Sequence, residues 1–247
     1  MKTKIFILAA MSFTMVGFAQ KNEIKAAEKA LKGGDSAGAK TSLEAAAGSI
    51  SGADAKTQAH YYYLRGKIYA DLAKKGDNSA FETAITSYKK ADEVETTSGK
   101  AKYGKMIEQE LAALAGDMVN SAVEDNNNKK FKEAGEKLYM SYKLSPKDTV
   151  YLYYAASSAV NGGEYEQALT YYNELKDLGY DGGTIEYKAT NVATGEQEVM
   201  DKVQRDLMVK SGTYKDPVDE KSPSKKAEIV KNVALIYTQL GQDDKAL

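Results

Sequence analysis

The sequence predicts an all-α chain of stacked helix pairs carrying one small β-hairpin insert. Three observations predict it. Apolar residues recur at i, i+3, i+4 and i+7 along most of the chain, which is the period of a half-buried helix. Glycine-rich breaks cut that pattern into short amphipathic segments that alternate with turns. Between Gly182 and Ser224 the helical period disappears, and a run of alternating residues takes its place.

The clearest stretch is Thr149–Asp181. Leu152, Ala155, Ala156 and Ala159 share one helix face, and Asn161-Gly162-Gly163 ends that helix. Tyr165, Ala168, Tyr172 and Leu175 form the stripe of a second helix, which Gly179 ends. Ala156 and Ala168 are small residues at the points where two such helices must approach closely. This stretch resembles a tetratricopeptide repeat (TPR), a helix pair with a period of about 34 residues. The resemblance implies a TPR-like α-solenoid.

Residues 20–181 are read as four TPR-like helix pairs. In the first, Asn22–Lys32 carries Ile24, Ala27, Ala30 and Leu31 on one face. Gly33-Gly34 breaks it, and Asp35 or Ser36 caps a partner bearing Ala39, Leu43, Ala46 and Ala47. The second pair has Tyr62, Gly66 and Tyr69 on its first helix and Phe81, Ala84, Tyr88 and Ala91 on its second. Extra residues around Lys74–Asn78 suggest a longer first helix and turn. In the third pair, Lys100–Asn126 is permissive for helix throughout, with Met106, Leu111, Leu114, Met118, Ala122 and Val123 as apolar anchors. Asn126-Asn127-Asn128 is a turn. Phe131, Ala134, Leu138 and Ser141 follow, and Pro146 stops that helix. Within the family the chain resembles signal-bearing TPR proteins of Bacteroidota, on the strings KLSPKDT (143–149) and ELKDLGY (174–180) and the hairpin after them.

Residues 182–224 are read as a β-hairpin and irregular insert. Ile185, Tyr187 and Ala189 alternate to one side, Thr194-Gly195 turns, and Glu196–Met200 returns. Val203–Lys210 is a short helix or extended, and Thr213–Ser224, with two prolines and much charge, is an irregular crossing. Residues 225–247 read as the first helix and start of a fifth, incomplete TPR, with Ala234, Tyr237 and Ala246 at the family's spacings. Its stripe of Val230, Val233, Ala234 and Tyr237 lacks a covering helix, so a longer repeat array or a partner that supplies the helix is expected, and the chain made alone is expected to self-associate through this repeat or to fray from about Lys225.

Residues 1–19 have the pattern of a signal peptide. Lys2 and Lys4 form a basic start, and the apolar run Ile5–Phe18 is shorter than the roughly 20 residues of a spanning helix. Gly17 and Ala19 are small residues before a cleavage site. Export to the periplasm is expected, with secretion or surface association as the other destinations. With no Cys, neither a disulfide nor a thiolate metal site can form. Lys and Arg number 34 against 35 Asp and Glu, so a nucleic-acid partner, which needs basic surface, is not expected. No further segment is apolar enough for an integral membrane span.

Chemistry is sparse. Gly34-Asp35-Ser36-Ala37-Gly38 matches G-x-S-x-G, but a nucleophile elbow needs a strand-to-helix turn and a His base. Here the match lies between two helices, and His60 is the one histidine. No catalytic residue, cofactor or metal is expected. The remaining candidates are surface positions. In the TPR family ligands lie against outward positions of each first helix, and the resemblance places His60, Tyr63, Lys67 and Asp71 there in the second pair. In the fourth pair it places Val150, Tyr153, Ser157 and Asn161. Tyr63 and Tyr153 stand where the family's carboxylate-clamp members have Lys, so that mode is not expected. The implied function is a non-catalytic protein-protein interaction or scaffold module of the cell envelope, binding a protein or peptide on the concave solenoid face. The alternative is an envelope glycan-binding protein or enzyme using the Tyr-rich face and the insert.

Overall fold

The structure, a computed structural model, describes residues 20–246. The signal-peptide reading of residues 1–19 lies outside the described residues. Eight helices come first: α1 (20–32), α2 (Ser36–Ala47), α3 (Ala55–Lys74), α4 (Ala80–Ser98), α5 (Gly104–Asn127), α6 (Phe131–Leu144), α7 (Val150–Asn161) and α8 (Tyr165–Asp177). They are followed by a small sheet and two more helices. The chain divides into two compact units, one of residues up to Glu124 with Lys143–Pro146, the other of Asp125–Tyr142 and Lys147 onward. Among the described residues no helix is long and apolar enough to cross a membrane.

In the first unit the helix starts follow from local hydrogen bonds. Asp35 caps α2 by accepting from the Gly38 N–H at 2.8 Å, and Asp54 caps α3 through the Thr57 N–H at 2.9 Å. Each satisfies an N–H that the helix itself leaves unpaired. The Thr57 bond also holds the Asp54 carboxyl below its usual range. Ile24, Ala27, Leu43, Leu64 and Ile68 meet in one apolar cluster. Gly66 allows α3 to lie close on α4, because a Cβ there would stand 2.5 Å from the Tyr88 ring.

Three expectations for the third pair are corrected. Helix α5 starts at Gly104, not Lys100. The buried Glu95 carboxylate of α4 accepts from the backbone N–H groups of Lys102 (2.9 Å), Tyr103 (2.7 Å) and Gly104 (3.2 Å), which pins that segment outside the helix. The anchors also differ. Met106 and Val123 are exposed, and the buried face is Ile107, Leu114, Ala115, Met118 and Ala122. Leu114, Met118 and Ala122 hold as the expected anchors, and packing leaves Met106 and Val123 outside. The turn after α5 begins later than read, with Lys129 in the left-handed region at φ 59°.

In the second unit Ala134, Ala155, Ala156 and Ala168 are fully buried. A Cβ at Gly135 would come 3.3 Å from the Ala155 carbonyl, so the backbones of α6 and α7 meet closely. In the same unit Asp125 and Lys137 form an ion pair whose side chains are 6% and 4% exposed.

The insert is more regular than expected. It contains β1 (Ile185–Asn191), β2 (Gln197–Met200), helix α9 (Lys202–Ser211) and β3 (Tyr214–Lys221), in the antiparallel order β2-β1-β3. The hairpin of β1 and β2 pairs Tyr187 with Met200 and Thr190 with Gln197. The irregular crossing read over Thr213–Ser224 is instead β3, pairing Ile185 with Lys221 and Asn191 with Tyr214. Pro217 is tolerated because β3 is an edge strand and carries a bulge there. Lys188 pairs with Val218 and Thr190 with Lys215, which leaves Asp216 (φ 51°) and Pro217 opposite Ala189. Ile185 is exposed, and Ala189 is the buried residue of β1. Asp201 caps α9 through the Gln204 N–H at 2.9 Å. From α9, Arg205 pairs with Asp219 and with Asp206 (2.8 Å), and its guanidinium lies 5.2 Å from the Tyr187 ring centre.

Helix α10 (Lys226–Gln239) follows, then a single 3-10 turn at Asp243–Lys245. The residues α10 buries are Ile229 and Ile236, whereas Val230 is 69% exposed.

Candidate binding clefts

Helix α3 places His60, Tyr63, Lys67 and Asp71 along one face, at the three- and four-residue spacings that bring side chains together. All four line one cleft of about 520 Å³ in the first unit. Its floor is aromatic. Tyr63 stacks on Tyr103 with ring centres 4.4 Å apart and planes 17° from parallel, and His60 lies parallel to the same ring at 6.1 Å. Lys67 stands 3.2 Å from Glu110, to which Tyr63 Oη also donates at 3.4 Å. Lys102 Nζ donates to Tyr103 Oη at 2.9 Å. Tyr63 is 6% exposed, so it forms the floor and is not the outward recognition side chain that its position implied.

The electrostatics follow from this packing. Burial pushes the Tyr63 phenol up to about 12, and the Glu110 carboxylate beside it adds to the effect. Burial also lowers the His60 imidazole, against the pull of Glu28 in the other direction. The imidazole is therefore neutral at pH 7. Lys32, Lys67 and Lys102 supply positive charge at the cleft, and Glu28 and Asp71 supply negative charge. The surface is amphipathic and mixed in sign, suited to a polar segment with an apolar contact.

The G-x-S-x-G serine lies close to this cleft. Ser36 Oγ donates to Asp71 and accepts from Lys75 Nζ at 2.6 Å, and Lys75 also donates to the Gly34 carbonyl at 2.9 Å. Hydrogen bonds from Lys75 and Ser36 hold the Asp71 carboxyl below its usual range. The three groups clasp the turn between α1 and α2 to the end of α3.

The fourth-pair candidates separate. Val150 and Tyr153 line a larger cleft of about 850 Å³ in the second unit. Ser157 does not reach it, and its Oγ donates to the Tyr153 carbonyl at 3.1 Å. Asn161 ends α7 as an exposed residue outside the cleft. Tyr153 is buried like Tyr63. It stacks on Tyr180 with ring centres 5.8 Å apart, and its hydroxyl donates to Glu228. Lys225 donates to the other Glu228 oxygen at 2.9 Å. Hydrogen bonds from Tyr153 and Lys225 hold the Glu228 carboxyl below its usual range. Tyr154, exposed, and Thr184, Glu186 and Ser222 of the insert complete the rim.

Sequence reasoning missed Tyr103, Lys102, Tyr180, Lys225 and Glu228. Tyr103 and Lys102 were absorbed into an over-long α5, and the Gly99 break with Glu95 upstream was the signal that could have freed them. Tyr180 had a weaker signal, an aromatic just past a helix-ending Gly. Among the described residues no group of three or more His, Asp or Glu side chains is placed to hold a metal ion. No protein-family model matches the chain, and no match was found among curated proteins.

Proposed function

We propose that the chain is a non-catalytic interaction or scaffold module of the cell envelope, built as a TPR-like α-solenoid, that binds a protein or peptide on the exposed face of its first helices. The observation that carries this reading is the α3 cleft. Four positions named from the family's ligand-facing spacing line one cavity with an aromatic floor and a mixed-charge rim. Tyrosine floors of this kind offer large contact area with little loss of side-chain freedom on binding. The envelope part of the reading rests on the N-terminal pattern of residues 1–19.

The test uses a photo-crosslinking amino acid at Met106, which lines the cleft and is exposed. Expressed in cells, it should capture a discrete protein or peptide, and Lys67→Glu should reduce that capture. Capture unchanged by Lys67→Glu, or equal from an exposed position on α4 such as Glu82, would overturn the site.

A second reading, glycan binding, is favoured by the 850 Å³ cleft. There Tyr153, Tyr154 and Tyr180 stand with the hydroxyls of Thr184 and Ser222 and the carboxylate of Glu186. Aromatic faces with hydroxyl and carboxylate hydrogen-bonding groups suit sugar rings. Titration with cell-wall oligosaccharides checks it: binding lost in Tyr154→Ala supports the reading, and no heat with any fragment removes it.

A further inference from the structure

Helices α8 and α10 leave a groove of about 670 Å³ between them. From α10 it is lined by Ile229, Val230, Val233, Ala234 and Tyr237, and from α8 by Tyr172. The lining is mainly apolar, yet Val230 is 69% exposed and Val233, Ala234 and Tyr237 are half-buried. The walls are held firmly: Ile229 and Ile236 are buried beneath α10, and Asn232 Nδ2 donates to Tyr172 Oη at 3.0 Å. The groove is thus a standing apolar surface and not a loose end of the core.

Its charge is one-sided. Lys176 in the last turn of α8, Lys226 in the first turn of α10 and Lys245 beyond α10 line the groove, and no carboxylate among the described residues does. None of the three lysines has an ion-pair partner among the described residues, and Lys245 meets only the Gln242 amide (3.0 Å) and the Tyr237 ring. Other lysines close by do stand beside carboxylates, Lys221 with Asp181 and Lys225 with Glu228.

We propose that this groove docks an acidic amphipathic helix from a partner protein. The apolar face from Ile229 to Tyr237 runs about 12 Å at 1.5 Å per residue, which matches two to three turns of an occupant. Such a helix would lay an i, i+3, i+4, i+7 stripe into the groove and set Asp or Glu side chains against Lys176, Lys226 and Lys245. A second copy of this chain fits less well. One exposed apolar helix face it could bring, Val203 and Leu207 of α9, has Lys202 and Lys210 of the same sign as the groove beside it, and its Asp206 is already paired with Arg205.

The test is selection of a displayed library of random 14-residue peptides on the full chain. Enriched peptides should show a helical apolar stripe with acidic flanks, and binding should weaken about tenfold when salt is raised from 50 to about 500 mM, as expected when exposed charges are screened. Val230→Glu alters an exposed residue and should abolish binding, while Lys176→Glu with Lys226→Glu should weaken acidic peptides about tenfold. Circular dichroism verifies that each variant is folded. No enrichment, enrichment without acidic bias, or binding indifferent to both variants overturns the proposal. So does a concentration-dependent dimer of the full chain that Val230→Glu dissociates, since a second copy would then fill the groove.

Discussion

Within the second unit, helices α7 and α8 and the insert that follows them are stabilised in opposite ways. The helix pair buries Leu152, Ala155, Ala156, Ala168, Tyr172 and Leu175, so its stability comes from apolar burial and from small residues that let backbones approach. Between residues 182 and 224 only Ala189 and Arg205 are buried. That region is held by a sheet ladder, by the charge contacts of Arg205, and by Lys221 with Asp181 at 2.6 Å. Val199, Val203 and Leu207 are left facing solvent. The difference teaches where this chain is sensitive. Volume and buried charge decide the helix pairs, whereas the insert tolerates side-chain change and depends on a few polar contacts.

The largest break of that comparison is expected at the buried ion pair. Lys137→Met leaves the Asp125 carboxylate without its charged partner and should cost about 3–5 kcal/mol by urea denaturation. Adding Asp125→Leu should recover most of that loss, and a double variant no better than the single would show that packing, not charge, was lost. Next comes Ala168→Leu, which overpacks a fully buried site and should cost about 1–3 kcal/mol. An unchanged melting temperature would remove the close-contact account of α8.

A smaller effect concerns His60. Burial lowers its folded-state pKa below the ordinary value of about 6.5. The unfolded chain then binds the proton more readily, so the contribution is present above about pH 6.5 and is lost as pH falls through the folded value. Wild type should lose slightly more stability between pH 7.5 and pH 5 than His60→Gln does. Equal loss in the two proteins would contradict a half-buried imidazole of lowered pKa. The smallest global effect is expected in the insert. Arg205→Ala should speed amide exchange in α9 and β3 while the melting temperature of the helix pairs stays in place. Loss of protection in α7 and α8 as well would show that the insert is part of their cooperative unit.

Both orders of structure can be traced to particular residues. The helices were legible wherever the apolar period and a punctuating glycine agreed, as at Leu152–Ala159 before Gly162-Gly163. The β1–β2 hairpin was legible from alternation and Thr194-Gly195. Strand β3 was not, because a proline and a run of charge carry no strand pattern, and only an available edge of β1 makes Tyr214–Lys221 extended. The start of α5 was hidden for a related reason: its boundary is set by the Glu95 carboxylate across a turn, and the Gly99 break marks that a turn is there but not how far it runs.

By itself, then, the amino-acid order determined the helix pairs, their small contact residues and one face of α3, since those depend on periods of a few residues. Tertiary structure decided that Met106 and Val123 of α5 and Val230 of α10 stay exposed, that Tyr63 and Tyr153 are floors, and that Val150 and Tyr153 share a cleft while Ser157 and Asn161 stay out of it. It also decided that Lys176, Lys226 and Lys245, far apart in sequence, border one apolar groove. Periodicity is a property of neighbours along the chain. Burial and the convergence of distant side chains depend on what each face is packed against, and that is set only when the elements meet.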